Sequence, residues 1–155
     1  MKLGIRAKLY RNTSGIFLSP TWEVIQHISD LSVNANWDEG EASTRASRIK
    51  KGAKTMMGLE FSGKVRVSND DAGYIALWDA AHSDDVLDLL VLNGPLDENG
   101  VRGYRVECQV MSNTEDQALG NVLFMDFMLK PSPTSNEPKK AVVAAGAPVF
   151  SAVAE

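Results

Sequence analysis

Alternation of apolar and polar positions is the strongest signal in this chain. Leu59, Phe61, Gly63, Val65 and Val67 share one face of an extended segment, and Glu60, Ser62, Lys64 and Arg66 share the other. Such a period-two pattern predicts a strand with one face on a core and one against water or a polar partner. Ile5, Ala7 and Leu9 alternate with Arg6, Lys8 and Tyr10 in the same way, and Leu31, Val33 and Ala35 repeat the pattern. Trp22 to Ile28 is rich in apolar and β-branched residues and predicts another strand. Asn12-Thr13-Ser14-Gly15 and Ser19-Pro20 mark turns before it.

One helix stands out. Tyr74, Leu77, Trp78 and Ala81 fall at helical spacing behind Asn69-Asp70-Asp71, whose carboxylates suit a helix N-terminus. The helix is expected to end near His82-Ser83-Asp84, with Trp78 in the core and Trp22 packed. Val86 to Leu92 predicts a buried strand. Turn residues from Asn93 to Gly100 then lead into Tyr104, Val106, Cys108 and Val110, which alternate with Arg105, Glu107 and Gln109. These two segments predict a hairpin with a long loop. Val122 to Leu129 reads as apolar on both faces and predicts a central or doubly covered strand. The order of elements predicts a mainly β (α+β) fold, an antiparallel β-sandwich or barrel with one flanking helix.

Two stretches break the pattern. Residues 34–58 are polar and charged with few large apolar residues, too long for an ordinary connection. Two readings stand open for them: a loop or hairpin that orders on a partner, or a solvated surface loop. After Lys130 the composition changes again, with four of the six prolines among residues 131–155. The expected division is a domain over 1–130 and a C-terminal extended arm over 131–155.

Composition bounds the function classes. At 155 residues and 44% hydrophobic content the chain can fold as one soluble domain without disulfide staples. The single cysteine, Cys108, excludes an internal disulfide framework and any multi-cysteine metal site. No apolar run approaches the roughly 20 residues of a membrane span. The segment Met1–Arg6 returns to charge too soon for a secretory signal, so synthesis in the cytosol is expected.

The formal net charge of -4 conceals a division. From Thr44 to Arg66 there are seven basic residues against one acid, Glu60; from Val67 to Val101 there are eight acidic residues and no Lys or Arg. A basic loop on an acidic body can bind nucleic acid, or it can dock on the acidic surface of another copy. Complementary patches of the second kind register head-to-tail association.

Catalytic constellations are scarce. His82, Ser83 and Asp84 are adjacent in sequence, whereas triad members converge from separate segments, so a histidine at a helix C-terminus is the plainer reading. His27 sits in a strand-like run, and Cys108 reads as a small buried apolar residue. Asp97-Glu98-Asn99-Gly100 lacks the remaining ligands of a calcium loop and reads as a turn. No cofactor or metal site is expected. Trp37, in the polar stretch, has nothing local to cover it, and two roles stand open: an interface anchor, or local packing.

Taken in order, Ala7-Lys8-Leu9-Tyr10-Arg11-Asn12, Ser19-Pro20-Thr21-Trp22, Ile28-Ser29-Asp30-Leu31-Ser32-Val33, Glu41-Ala42-Ser43-Thr44-Arg45-Ala46-Ser47, the helix Asp70–His82 and Met128-Leu129-Lys130-Pro131 resemble the phage tail tube (major tail) proteins. The resemblance spans residues 4–137. It implies a non-enzymatic structural virion protein. Its subunits form hexameric rings that share a β-barrel lumen, and the rings stack head to tail into a conduit for double-stranded DNA. It implies as partners other copies of the chain, a tape measure protein, a tail terminator and baseplate or tail-tip proteins, with assembly in the host cytoplasm and no membrane partner. Residues 34–58 stand where the family carries an inter-ring loop, so Trp37, Asp38, Glu39, Glu41, Arg45, Arg48, Lys50, Lys51 and Lys54 are the expected assembly contacts. Candidate lumen-facing residues are Glu60, Ser62, Arg105, Glu107 and Gln109. The same resemblance extends to tubes of type VI secretion and related injection systems. A small β-sandwich that binds nucleic acid through its basic loop is the rival from another class.

Overall fold

The computed structural model describes residues 7–117, 119–134 and 136–153. Nine strands and one helix follow in the order β1 (Lys8–Asn12), β2 (Trp22–Val24), β3 (Ile28–Glu41), β4 (Gly52–Arg66), α1 (Ala72–Ala81), β5 (Leu87–Leu92), β6 (Arg102–Glu115), β7 (Phe124–Pro131), β8 (Lys139–Ala144) and β9 (Ala147–Ala152). The strands hydrogen-bond in the spatial order β2-β1-β5-β6-β7-β4-β3, and β8 joins through β6 and carries β9. Every pairing is antiparallel. No helix among the described residues is long and apolar enough to cross a membrane.

Strand β6 changes partners along its length. Its first half pairs with β5 from Gly103 to Cys108 and with β8 from Arg102 to Arg105. From Cys108 onward β7 takes over the side that β8 leaves. A register shift between Val110 and Ser112 marks a bulge, which bends the strand just beyond that change of partner.

Two apolar clusters result. The larger gathers Leu9, Phe61, Val65, Tyr74, Leu77, Leu89, Val106, Met125, Phe127 and Leu129 between helix and sheet. The smaller gathers Tyr10, Leu90, Leu92, Val101, Ala141 and Val143. Strand β5 serves both, with Leu89 and Val91 in one and Leu90 and Leu92 in the other. Burial on both faces explains its unbroken apolar run. In β7, by contrast, Met125, Phe127 and Leu129 are buried while Asp126 and Lys130 are exposed. That strand is central, as expected, yet the doubly covered strand is β5.

Helix α1 starts where Asp71 Oδ1 accepts from the Gly73 amide at 3.0 Å, the capping expected of this carboxylate. Its buried stripe is Gly73, Tyr74, Leu77 and Ala80. Gly73 lies against Ile25, whose Cγ2 a side chain at 73 would meet at 2.7 Å. The stripe is rotated from the expected one: Trp78 is 42% exposed and stacks on the His82 ring, centroids 4.2 Å apart, rather than entering the core. The helix ends at His82, as expected, and the His82 Nδ1–H donates to the Trp78 carbonyl at 2.8 Å.

Three further expectations change. Alternation puts Tyr10 on the polar face of the first strand; it is buried, because the smaller cluster covers that face too. The strand expected over Trp22–Ile28 stops at Val24, since the chain turns at His27 with φ 61°. The segment expected as an extended arm contains the β8–β9 hairpin, whose Ala141 and Val143 are buried in the smaller cluster. Its turn, Ala145-Gly146, has φ 52° and 76°, the left-handed pair that suits a two-residue hairpin connection.

Candidate assembly site

The polar stretch 34–58 is a hairpin: residues 34–41 and 52–58 are strand, and 42–51 form its tip. β3 and β4 pair from Ile28 opposite Val65 out to Glu41 opposite Gly52, while β7 reaches only Phe61 to Arg66 of β4. Beyond Phe61 the two strands leave the sheet as a ribbon that projects with its backbone paired and its side chains largely exposed. Local contacts stiffen it. Thr55 Oγ1 donates to the Asp38 carbonyl at 3.0 Å, and the Lys54 ammonium stands 5.3 Å from the Trp37 ring centroid. At the tip, the Ala42 amide donates to the Lys51 carbonyl at 2.9 Å, and the Lys51 amide to Ser43 Oγ at 2.8 Å. The Ser43 hydroxyl and amide hold the Glu41 carboxyl below its ordinary range.

Arg45, Arg48, Lys50, Lys51 and Lys54 are all exposed on this ribbon and its tip, together with Asp38, Glu39 and Glu41. Ile49 and Met56 are exposed among them. The structure thus gathers the nine expected contact residues on one projecting element. Trp37 is half-buried beside Lys54.

Four neighbouring strands of the nine-stranded sheet, in the order β6-β7-β4-β3, stand at the base of the ribbon. One face carries Leu59, Phe61, Val65, Met125, Phe127 and Leu129 into the larger cluster. On the other, Lys64 stands opposite Asp126, their charged groups 4.0 Å apart, and Ser62 stands opposite Met128. Glu60 and Ser62 are half-buried on this polar face, and Arg66 is exposed there.

The other expected lumen residues divide. Arg105 is a correction: it is only 5% exposed. Its Nε donates to Asp88 Oδ1 at 3.1 Å, and its Nη2 to Asp88 Oδ2 at 2.6 Å and to the Phe17 carbonyl at 2.7 Å. The guanidinium lies 3.8 Å from the Phe17 ring centroid and 5.0 Å from those of Trp22 and Phe150. A side chain enclosed in this way faces no channel. Glu107 is half-buried and accepts from Asn136 Nδ2 at 2.8 Å, and Gln109 Nε2 donates to the Asp84 carbonyl at 3.3 Å.

Two open edges flank these four strands. β3 has β4 on one side only. β5 covers β6 only as far as Cys108, so residues 109–115 of β6 have β7 alone beside them among the described residues. Val33 on the first edge and Met111 on the second are exposed apolar residues, 42% and 51%. Elsewhere the reactive inventory is quiet. Cys108 is fully buried, and burial pushes its thiol up to about 12. Among the described residues no three His, Cys, Asp or Glu side chains converge as metal ligands.

The described residues thus form a bent sheet on one helix, with a projecting ribbon and two strand edges left unpaired. Solved structures carry the same fold. The tail of an empty gene transfer agent particle, refined helically with C6 symmetry, superposes with TM-score 0.69 over 93% of this chain and 100% of that one, at 9% identity. The virion of a native gene transfer agent gives 0.67 over 98% and 100%, at 11% identity. The SPP1 tail tube gives 0.68 over 84% and 75%, at 11% identity. The chain has the tail tube fold. No family sequence model and no curated protein sequence matches it.

Proposed function

We propose that the chain is a structural virion protein, the tail tube subunit of a tailed phage or a phage-derived particle. The observation that carries this reading is the set of four neighbouring strands with a free edge on each side. β6 and β4 run one way and β7 and β3 the other. A neighbour's β3 laid beside residues 109–115 of β6 therefore continues the antiparallel alternation. Repetition of this junction closes a barrel and removes exposed strand edges, which are otherwise sites of uncontrolled pairing. Val33 and Met111 lose their exposure in the same step.

Closure puts the polar face, with Glu60 and Ser62, toward the lumen. Mixed charge on that face, typified by Lys64 beside Asp126, gives passing double-stranded DNA no continuous basic track to hold it. Rings of six, stacked head to tail through the ribbon, make the conduit. In this reading a tape measure protein, a tail terminator and baseplate components are its partners, the work is assembly and conduction rather than catalysis, and the protein resides in the virion tail. Negative-stain microscopy of concentrated protein tests the reading. Stacked rings or tubes support it; persistent monomers with salt-sensitive DNA binding support a nucleic-acid-binding module instead.

A further inference from the structure

Strand β4 runs 15 residues from the ribbon tip to the turn before the helix, a distance of about 50 Å at roughly 3.3 Å per residue. The tip and the helix start therefore lie at opposite ends of one strand; the helix then runs back along the sheet, so that Asp84, whose carbonyl accepts from Gln109 Nε2, sits about level with Phe61, still roughly 30 Å from the tip. The tip carries Arg45, Arg48, Lys50 and Lys51 around the exposed Ile49. The outer surface of the helix and its exit carry Asp79, Asp84 and Asp85, all exposed, around Ile75 and Trp78, which are 40% and 42% exposed. Each surface is an apolar centre with a charged rim, and the rims are complementary. Within one chain they cannot meet, because the strand holds them apart.

We infer that the unpartnered helix surface Ile75–Asp85 is the receptor for the basic ribbon tip of a second copy in the adjacent ring. The inference rests on the tube reading and adds the identity of the surface that receives the ribbon. Apolar contact of Ile49 with Ile75 and Trp78 supplies attraction that salt does not screen, and the rims set direction and register. A contact between two unlike patches is heterologous, so it propagates from copy to copy instead of closing a dimer.

A charge swap tests it. Arg45→Glu, Arg48→Glu, Lys50→Glu and Lys51→Glu together should abolish tube growth, and so should Asp79→Lys, Asp84→Lys and Asp85→Lys together. Both sets are exposed, so circular dichroism should show folded protein in each case. The protein carrying both sets should regain tubes, and Ile49→Cys with Trp78→Cys should give bismaleimide-linked oligomers in tubes but not in dilute monomer. The inference is overturned if either reversal assembles normally, or if the combined protein is folded but forms no tubes. It is equally overturned if tip reversal removes DNA retention while tubes grow unchanged. Wild-type protein that never forms rings would instead sink the tube reading itself.

Discussion

Arg105 and Asp88 form a bidentate ion pair inside the protein, with the guanidinium held between the rings of Phe17, Trp22 and Phe150. The pair ties β5 to β6, while the surrounding rings come from the β1–β2 connection, β2 and β9. Asn12 Nδ2 adds a further hydrogen bond to Asp88 Oδ2 at 3.0 Å. One buried charge pair thus clamps the C-terminal hairpin to the first strands of the chain.

Removing one partner should be costly. Arg105→Ala leaves Asp88 largely buried and unpaired, and a loss of roughly 3–5 kcal/mol is expected. Arg105→Lys keeps the charge but loses the planar fork and the stacking, so it should destabilise too, by less. Urea denaturation followed by tryptophan fluorescence measures both. An Arg105→Ala protein as stable as wild type would show that the clamp holds nothing.

Arg105 also shows where local sequence stops being informative. Its place in an alternating strand puts it on the polar face with Glu107 and Gln109, and the pattern is right about the face. Its burial is created by three aromatic residues that are distant in sequence, which no local period encodes. The β3–β4 ribbon fails for a different reason. Both of its faces are wet, so no alternation marks it as strand, and its polarity leaves loop and hairpin equally open. The β8–β9 hairpin did leave a signal, Ala141 and Val143 alternating before Ala145-Gly146, but proline and small residues obscured it. Elements with one dry face, such as residues 59–67 and the helix, were legible because burial on one side alone imposes a period.

The free edges yield a second prediction. Val33→Asp and Met111→Asp should leave the monomer within about 0.5 kcal/mol of wild type, as surface changes usually do. Each should nevertheless block ring closure, seen as monomer in sedimentation velocity under conditions where wild type assembles. Rings from both variants would locate the junction elsewhere.

Cys108 gives a pH prediction with a definite sign. Burial is the main cause of its raised pKa, with the negative charges of Asp88 and Glu107 adding to it. The folded chain holds the thiol proton up to about 12, while the unfolded chain releases it near the ordinary thiol value of 9.0. Stability from this group is therefore whole below about 9 and falls as pH rises toward about 12. Tyr10 and Tyr74, both raised mainly by burial, act in the same direction. Thiol labelling with Ellman's reagent should be slow in folded protein and fast in urea; rapid labelling of folded protein would contradict the burial.

Tyr74 couples the helix to the sheet through its hydroxyl, which donates to Glu115 Oε1 at 2.9 Å. Tyr74→Phe keeps the packing and loses that bond, for which about 0.5–3 kcal/mol of destabilisation is expected, the upper part reflecting the charged acceptor. Thermal unfolding checks it, and an unchanged or raised melting temperature would count against the contact.

The central claim concerns how one subunit meets the next. Helical reconstruction of assembled tubes, at a resolution that traces the backbone, measures it directly. The predicted result is six subunits per ring, β3 of each hydrogen-bonded antiparallel to residues 109–115 of a neighbour's β6, with Glu60 and Ser62 facing the channel. Rings joined through another surface, or a channel lined by the face that carries Phe61 and Phe127, would contradict it.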